Sequence, residues 1–327
     1  MKPARLSLLL VIVGNGALLA GQEQPRQSTF RSGTEVVTID VSVHRGKAPV
    51  TGLTAQDFEV MDNGVRQSIE LQTIDTVPVD VTVVFGNYHA TVLGGLLASD
   101  LSKIAAWLRH IDRLRVIAYA TDVREVVTMS APARVQQQGV AEVALSRAGA
   151  ALWRSGPDRK GVDPRNDPSL RGEAVFDAVL LAITRPPELG RRHLVVVFCA
   201  PADKGSVLID GDFLKDLAAR SDALLHVQYG WGSGSAAPSA VIGPREFLAG
   251  KYTRLALADA AAATGGALHN FSNAMGAFRS IFEDLKQSYV LQYTVTGVST
   301  GGWHTVTVKT PRFPTYDVQA RRGYMGR

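Results

Sequence analysis

Cysteine is almost absent from this chain, whose 327 residues include one, Cys199. A single cysteine cannot form an internal disulfide, and the paired cysteines of a structural zinc site are missing with it. Cys199 lies in the apolar run LVVVFCA, whereas a catalytic thiol needs a cationic and partly exposed setting. We therefore expect a small buried hydrophobic side chain at this position.

An excess of charge of one sign is also lacking. Lysine plus arginine exceed aspartate plus glutamate by 35 − 30 = 5, and loss of Lys2 and Arg5 with a cleaved N-terminus would leave 5 − 2 = +3. The basic residues are scattered, apart from short clusters at Arg191-Arg192 and Arg321-Arg322. This distribution excludes the basic stripe of a nucleic-acid-binding protein.

The long apolar run of a membrane span is missing too. The apolar stretch from Leu6 to Ala20 is short for a span of about 20 residues, and Gly14-Asn15-Gly16 interrupts it. It follows a basic start and precedes a polar, Gln-rich run, which is the layout of a secretory signal peptide rather than of an anchor. We expect residues 1–21 to be removed near Ala20, which predicts a secreted or periplasmic protein without stable membrane insertion after cleavage.

Several signatures of ligand chemistry are absent from the sequence. There is no Walker phosphate loop and no His-Glu-x-x-His zinc motif. Asp210-Gly211-Asp212 is too short for a calcium loop, and aspartate favours the N-cap of a helix, so we expect it to cap a helix that begins near Phe213. The sequence therefore predicts no cofactor.

The centre of the chain alternates apolar strands with amphipathic helices. VDVTVVF (79–85) and RHLVVVFCA (192–200) are almost wholly apolar, while LLASDLSKIAAWLRHI (96–111) places apolar residues at helical spacing. Strands that are apolar on both faces indicate a sheet covered on both sides. Residues 77–288 are therefore predicted to form an α/β domain with a doubly wound, mostly parallel sheet.

The two ends of the mature chain read as β-structure. Residues 30–76 contain alternating strands and the hairpin signal Asp62-Asn63-Gly64, and residues 289–327 contain further strand patterns. Each unit is too small to bury a core alone. We expect them to pack together as one β-sandwich-like domain into which the α/β domain is inserted.

Specific phrases of the sequence resemble a known family. They are FRSGTEVVTIDVSV, VTGLTAQDFEVMDNGVRQSI, VPVDVTVVF, GEAVFDAVLLAI, RRHLVVVF, YVLQYTV and VQARRGY. Together they resemble the von Willebrand factor A-related proteins common in acidobacteria, over nearly the whole mature chain. The resemblance implies a von Willebrand A-like, Rossmann-like fold and a role in protein–protein interaction or scaffolding outside the cytoplasm.

Von Willebrand A domains typically bind a divalent cation at a metal-ion-dependent adhesion site, at the carboxyl ends of the strands. The resemblance places Gly86, Tyr88 and Ala90 at its Asp-x-Ser-x-Ser positions, Glu173 at its threonine and Ala200 at its last aspartate. Of these only Glu173 is a good ligand for a hard cation, since a phenol with a pKa of about 10 is a poor one. One carboxylate does not hold a Mg²⁺ ion, so we predict a degenerate site, no metal and no cofactor.

Five side chains are expected at the vacated carboxyl edge of the sheet: Asn87, Tyr88, His89, Glu173 and Asp203. On one interpretation they form a pocket that binds a small ligand or a peptide. On the other they belong to surface loops that changed after the metal site was lost. The sequence alone leaves both interpretations open and identifies no partner.

The residues support two functional hypotheses. The first is a non-enzymatic protein that binds an unknown protein partner without a metal ion. The alternative is a hydrolase in which His89 is the base and Glu173 its orienting carboxylate. Its nucleophile would be Ser99, Ser102 or Ser206, and none of these lies in a Gly-x-Ser-x-Gly elbow.

Overall fold

A computed structural model describes residues 35–86, 98–119, 123–137, 174–184, 188, 190–199, 203, 205–229, 244–270 and 274–326. The strands of the described residues are β1 (Val36–Arg45), β2 (Ala48–Pro49), β3 (Glu59–Asp62), β4 (Val65–Gln67), β5 (Ile69–Gln72), β6 (Val79–Gly86), β7 (Arg113–Tyr119), β8 (Val123–Ser130), β9 (Arg192–Cys199), β10 (Ala223–Tyr229), β11 (Leu268–Asn270), β12 (Tyr289–Thr294), β13 (Gly302–Lys309), β14 (Asp317–Ala320) and β15 (Gly323–Gly326). The α-helices are α1 (Ala98–Trp107), α2 (Pro132–Gln137), α3 (Val175–Ile183), α4 (Gly211–Arg220), α5 (Pro244–Ala263) and α6 (Ala274–Gln287), and two short 3₁₀ turns lie at Ala55–Asp57 and Ile74–Thr76.

The central sheet has six strands in the order β11-β10-β9-β6-β7-β8. All neighbouring pairs are parallel except β7 and β8, which are antiparallel. The prediction of a mixed α/β protein is confirmed, and the central sheet is parallel in part. The parallel order brings the carboxyl ends of β6, β9 and β10 to one edge, called here the carboxyl edge, and their starts to the opposite, amino edge.

Helices bury both faces of this sheet, which explains why β6 and β9 are apolar along their length. Phe278 of α6 and Leu101 of α1 pack on one face, while Val179 of α3 and Leu257 of α5 pack on the other. Cys199 is fully buried on this second face. The prediction that Cys199 is a buried side chain is therefore confirmed.

The strands of the two chain ends pair with each other. β1 pairs with β12 and β14, and β5 extends the same sheet, while β13 lies between β15 and β3 in a second sheet that β4 extends. Side chains of both sheets share one buried cluster that includes Ile39, Val60 and Tyr293. This pairing agrees with the expected association of the two β units. The inserted sandwich and its domain limits remain a prediction.

The predicted hairpin at Asp62-Asn63-Gly64 is confirmed. Asn63 and Gly64 both have positive φ angles, 45° and 82°, and join the antiparallel strands β3 and β4. A two-residue turn of this kind needs left-handed backbone at both central positions, which Asn-Gly adopts readily. The Asn63 side chain also accepts a hydrogen bond from Thr305 N at 2.8 Å, which ties the turn to β13.

Arginines at the amino edge of the central sheet hold buried acids. Arg113 and Arg191 both bond the carboxylate of Asp80, which is fully buried. Arg192 bonds Asp40 of β1 at 2.5 Å and Ser288 at 2.9 Å. The Arg191-Arg192 cluster is therefore structural, and it attaches the amino edge to the terminal sheets.

Within the described ranges, no helix combines the length and the apolarity needed to cross a membrane.

Candidate functional site

The candidate site lies at the carboxyl edge of the central sheet. Of the five residues predicted there, Asp203 is described, and Asn87, Tyr88, His89 and Glu173 lie outside the described residues. The structure therefore places one member of the predicted set. Their convergence into a pocket remains a prediction.

Asp203 follows β9 and bonds to the start of α3. Its Oδ1 accepts hydrogen bonds from Phe176 N at 3.3 Å and from Ser206 Oγ at 2.6 Å. Its own backbone N–H donates to Thr253 Oγ1 of α5 at 2.9 Å. The first amides of a helix have no partner within the helix, so Asp203 caps α3 from a distant part of the chain.

Burial raises the pKa of Asp203 above its ordinary value, and hydrogen bonds from Ser206 and from the first amides of α3 act against that shift. The nearby charge of Asp177 raises the pKa further. The carboxylate is thus partly desolvated and already engaged by donors. Such a group holds the loop in place more readily than it offers free oxygen ligands.

Asp177, in the first turn of α3, bonds the same loop from the other side. Its carboxylate accepts from Val207 N at 2.9 Å and from Leu208 N at 3.1 Å, and its own N–H donates to Ser206 Oγ at 3.0 Å. Asp177 is buried. Both acids near this edge therefore accept hydrogen bonds from backbone amides, and they fix Asp203 and residues 205–208 against α3.

The side chains that this loop presents to solvent are apolar. Val207 is 87% exposed and Leu208 is 74% exposed, and Phe213 in the first turn of α4 is also exposed. We refer to Val207, Leu208 and Phe213 as the edge patch. These apolar side chains are thus exposed on, or next to, a segment that several hydrogen bonds hold in place.

The start of α4, which carries Phe213 of the edge patch, is held by a helix cap and by contacts with α5. Asp210 caps the helix by accepting a hydrogen bond from Phe213 N at 2.9 Å, as the sequence predicted. Gly211 N donates to Tyr252 Oη at 3.2 Å, and a Cβ at Gly211 would lie 2.4 Å from the Cβ of Ala256. Glycine is required by this close approach of α4 to α5.

No set of three His, Cys, Asp or Glu side chains in the described part of the chain is arranged to hold a metal ion. Gly86 and Cys199, which end β6 and β9, carry no side-chain oxygen. Tyr88, Ala90, Glu173 and Ala200 lie outside the described residues. The degenerate metal site consequently stays a prediction.

A Thr–His–Asp arrangement lies near the amino edge, where sequence reasoning did not look for it. His193 Nε2 is 3.3 Å from Thr82 Oγ1, and its Nδ1 is 3.4 Å from Asp222 Oδ1. Thr82 and His193 are buried beneath the helices of one sheet face. A substrate cannot reach them, so this histidine is a core residue whose polar atoms are satisfied.

One Gly-x-Ser-x-Gly sequence occurs in the chain, at residues 297–301. It joins the antiparallel strands β12 and β13. A nucleophile elbow instead joins a strand to a helix. Ser299 therefore lies on an exposed loop between two strands, which lacks the strand-to-helix geometry of a hydrolase nucleophile.

Comparison with known proteins gives structural neighbours alone. No protein-family profile and no curated protein matches the chain. Among solved structures, the conserved hypothetical protein BatB from Bacteroides thetaiotaomicron is 14% identical, with 63% of this chain and 97% of that chain covered and a TM-score of 0.40. A von Willebrand factor type A protein from Catenulispora acidiphila is 9% identical, with 86% and 72% covered and a TM-score of 0.39.

An aerotolerance-related membrane protein from Bacteroides fragilis is 14% identical, with 63% of this chain and 98% of that chain covered and a TM-score of 0.38. Similarities of this size carry no inference about family or activity. The assignment to the von Willebrand A-related family therefore stays a prediction from the sequence phrases.

Proposed function

We propose that the chain is a secreted or periplasmic, non-enzymatic von Willebrand A-like protein that binds a protein partner without a metal ion. Binding takes place at the carboxyl edge of the central sheet, through the edge patch. The observation that carries the proposal is the segment made of Asp203 and residues 205–208. The carboxylates of Asp203 and of Asp177 in α3 accept hydrogen bonds from backbone amides. Val207 and Leu208 of this segment are exposed to solvent.

The geometry of this loop favours a protein ligand over a cation. A metal site needs carboxylate oxygens that face outward and are free of competing donors. Here Asp177 and Asp203 accept four hydrogen bonds from described residues, three of them from backbone amides. An ion would have to displace those donors, and the cost of unpaired buried amides opposes it.

The energetics of the edge patch suit a contact with protein. Burial of a valine or leucine side chain contributes roughly 1.5–3 kcal/mol. Val207 and Leu208 lose little backbone freedom on binding, because Asp177 already holds their backbone amides. The entropic cost that remains is mainly the ordering of their side chains.

The remaining candidate residues belong to the same proposal. Asn87, Tyr88, His89 and Glu173 are proposed to extend the binding surface from the neighbouring loops, and Asp203 supports it by holding the 203–208 segment. The contacts of Asp203 support that role. The proposal assigns no chemical step to any of these residues.

Photo-crosslinking in the exporting cell tests the proposal. A photoreactive amino acid replaces Leu208, and a matched control replaces Leu71, an exposed leucine on the edge strand β5. We expect one protein adduct from position 208 and none from position 71. Adducts of equal yield at both positions, or none at position 208, would contradict binding at the carboxyl edge.

Two further measurements separate binding from catalysis and from metal dependence. Calorimetry with Mg²⁺ or Mn²⁺ is expected to show no binding, and His89→Ala is expected to leave the adduct at position 208 intact. A hydrolytic turnover that His89→Ala abolishes would instead support the hydrolase alternative with His89 and Glu173. Tight Mg²⁺ binding near Glu173 would show that the metal site is functional.

A further inference from the structure

Two histidines of the central sheet bring their ring nitrogens together. His226 Nδ1 of β10 lies 3.3 Å from His269 Nε2 of β11. The side chain of His226 is buried, while His269, on the edge strand of the sheet, is exposed. A hydrogen bond between the two rings accounts for the contact, although the separation is at the long end of the range for such a bond.

The same separation fits two ligands of one tetrahedral metal ion. Bonds from an imidazole nitrogen to Zn²⁺ are about 2.0–2.1 Å long, and a tetrahedral angle between two such bonds sets the nitrogens about 3.3 Å apart. The two histidine nitrogens have that spacing. In the metal-free chain one ring donates its proton to the other, whereas a bound ion accepts a lone pair from each ring.

A third polar side chain borders the histidine pair. Gln228 lies two residues after His226 on the same face of β10, and it is the cross-strand partner of His269 in the register of β10 and β11. Gln228 is 2% exposed, and its Oε1 accepts no hydrogen bond within the described part of the chain. A buried carbonyl oxygen without a donor is costly. A cation at the histidine pair supplies the partner that this oxygen lacks.

The electrostatics of this place favour a divalent cation. Burial, with the neighbouring charge of His269, lowers the pKa of His226 to about 3. At neutral pH no proton therefore competes for its lone pair. Asp284 of α6, whose Oδ1 is 2.9 Å from His44 Nε2, is close enough for its negative charge to act on His269. The exposed ring of His269 gives an ion access from solvent.

We propose that His226, Gln228 and His269, called here the histidine site, bind a divalent transition-metal ion of the kind that favours imidazole, such as Zn²⁺. Two ring nitrogens and one amide oxygen hold the ion, and water completes the tetrahedron. Three protein ligands with one open position are the arrangement of a zinc site that is not closed. Hard cations such as Mg²⁺ prefer oxygen ligands alone.

The histidine site is separate from the edge patch. Leu224, two residues before His226 on β10, packs with Phe278 of α6 on one face of the sheet. Helix α4, which carries Phe213 of the edge patch, packs through Leu214 on the opposite face. Zinc binding and capture of a protein partner are measured separately, so either proposal can fail without the other.

Calorimetry of the purified chain with Zn²⁺ tests the proposal. We expect one ion to bind per chain, and an excess of Mg²⁺ or Mn²⁺ of about a hundredfold to leave it in place, because imidazole ligands hold Zn²⁺ more tightly than either. Absence of zinc binding overturns the proposal, since a hydrogen bond between the rings and a water molecule at Gln228 then suffice. Displacement of zinc by Mg²⁺ also overturns it.

A histidine variant with a matched control locates the ion. His269→Ala removes an exposed ligand and is expected to weaken zinc binding at least about a hundredfold, because even partners outside the first ligand shell contribute about 10–100-fold. His110→Ala, at another exposed histidine, is expected to leave the affinity unchanged. Circular dichroism checks the folding of both variants. Zinc binding that His269→Ala leaves intact, or that both variants weaken equally, overturns the placement.

Cu²⁺ reports the ligands directly, since it binds such sites more tightly than Zn²⁺. Its electron paramagnetic resonance spectrum is expected to show coupling to two imidazole nitrogens in the original chain and to one in His269→Ala. Gln228→Leu is expected to weaken zinc binding about tenfold while both nitrogen couplings remain. Fewer than two couplings in the original chain overturn the histidine pair as ligands. An unchanged zinc affinity in Gln228→Leu overturns the amide oxygen as the third.

Discussion

The two edges of the central sheet use their acids in opposite ways. At the amino edge, Asp80 is buried and bonded by Arg113 and Arg191. At the carboxyl edge, Asp177 and Asp203 bond mainly backbone amides. The charge at the first edge is neutralised by other side chains, and the charge at the second edge fixes a loop.

What covers the two edges also differs. The amino edge is joined to the terminal sheets, through the Arg192–Asp40 ion pair and through Arg321, which bonds Ser221 O at 2.5 Å. The carboxyl edge presents Val207 and Leu208 to solvent. The amino edge is therefore tied to the terminal sheets, whereas the described part of the carboxyl edge leaves Val207 and Leu208 exposed.

The largest expected effect is at the amino edge. Asp80→Ala leaves Arg113 and Arg191 without their buried counter-charge, and we expect a loss of about 3 kcal/mol in the free energy of unfolding. Urea denaturation measures it. Glu70→Ala, at an exposed position of β5, is the control and should stay within about 0.5 kcal/mol of the original chain. If both variants lost the same free energy of unfolding, the buried acid would contribute no more to stability than the exposed one, which would contradict this account.

The dependence of stability on pH tests a buried pair of histidines in the central sheet. His226 Nδ1 of β10 is 3.3 Å from His269 Nε2 of β11, and burial, with the neighbouring charge of His269, lowers the pKa of His226 to about 3. Burial lowers the pKa of His269 as well, while Asp284 acts against that shift. Unfolded histidine has a pKa of about 6.5, so the unfolded chain binds more protons below that pH.

Stability carried by His226 is therefore complete above about pH 6.5 and falls as the pH drops toward about 3, by up to about 1.4 kcal/mol per pH unit. Urea denaturation at a series of pH values measures the slope. His226→Gln should flatten it, and His110→Gln, at an exposed histidine, should not. A slope that His226→Gln leaves unchanged would assign the acid sensitivity to other groups.

The smallest change in stability is expected at the carboxyl edge. Asp177→Ala removes the acceptor of two backbone amides and should cost about 1–2 kcal/mol. Hydrogen exchange at the amides of Val207 and Leu208 should become faster. The matched control is Asp210→Ala, which frees the amide of Phe213 instead. Unchanged exchange at Val207 in Asp177→Ala would show that the loop is held by other contacts.

The sequence predicted the parts of the fold that depend on local patterns. The apolar runs of β6 and β9 indicated a covered sheet, and Asn63-Gly64 and Asp210 indicated a hairpin and a helix cap. Each of those signals lies within a few residues of the structure it specifies. Local propensity and periodicity are sufficient in such cases.

The hydrogen-bond partners of Asp80 and Asp203 could not be predicted from such local patterns. Asp203 bonds Phe176 and Thr253, which are 27 and 50 residues away, and Asp80 bonds Arg191 across 111 residues. Arg191 and Arg192 formed a single basic cluster in the sequence, yet they bond different acids on different strands. Such pairings depend on the order of strands in the sheet, which periodicity does not give.

The most direct test of the account compares crosslinking at the two edges in the presence of a chelator. A photoreactive residue at Leu208 represents the carboxyl edge, and one at Glu188, which is exposed beside the Asp80 cluster, represents the amino edge. With EDTA added, we predict a protein adduct at position 208 in undiminished yield and none at position 188. Loss of the position 208 adduct with EDTA, or an adduct confined to position 188, would contradict metal-independent binding at the carboxyl edge.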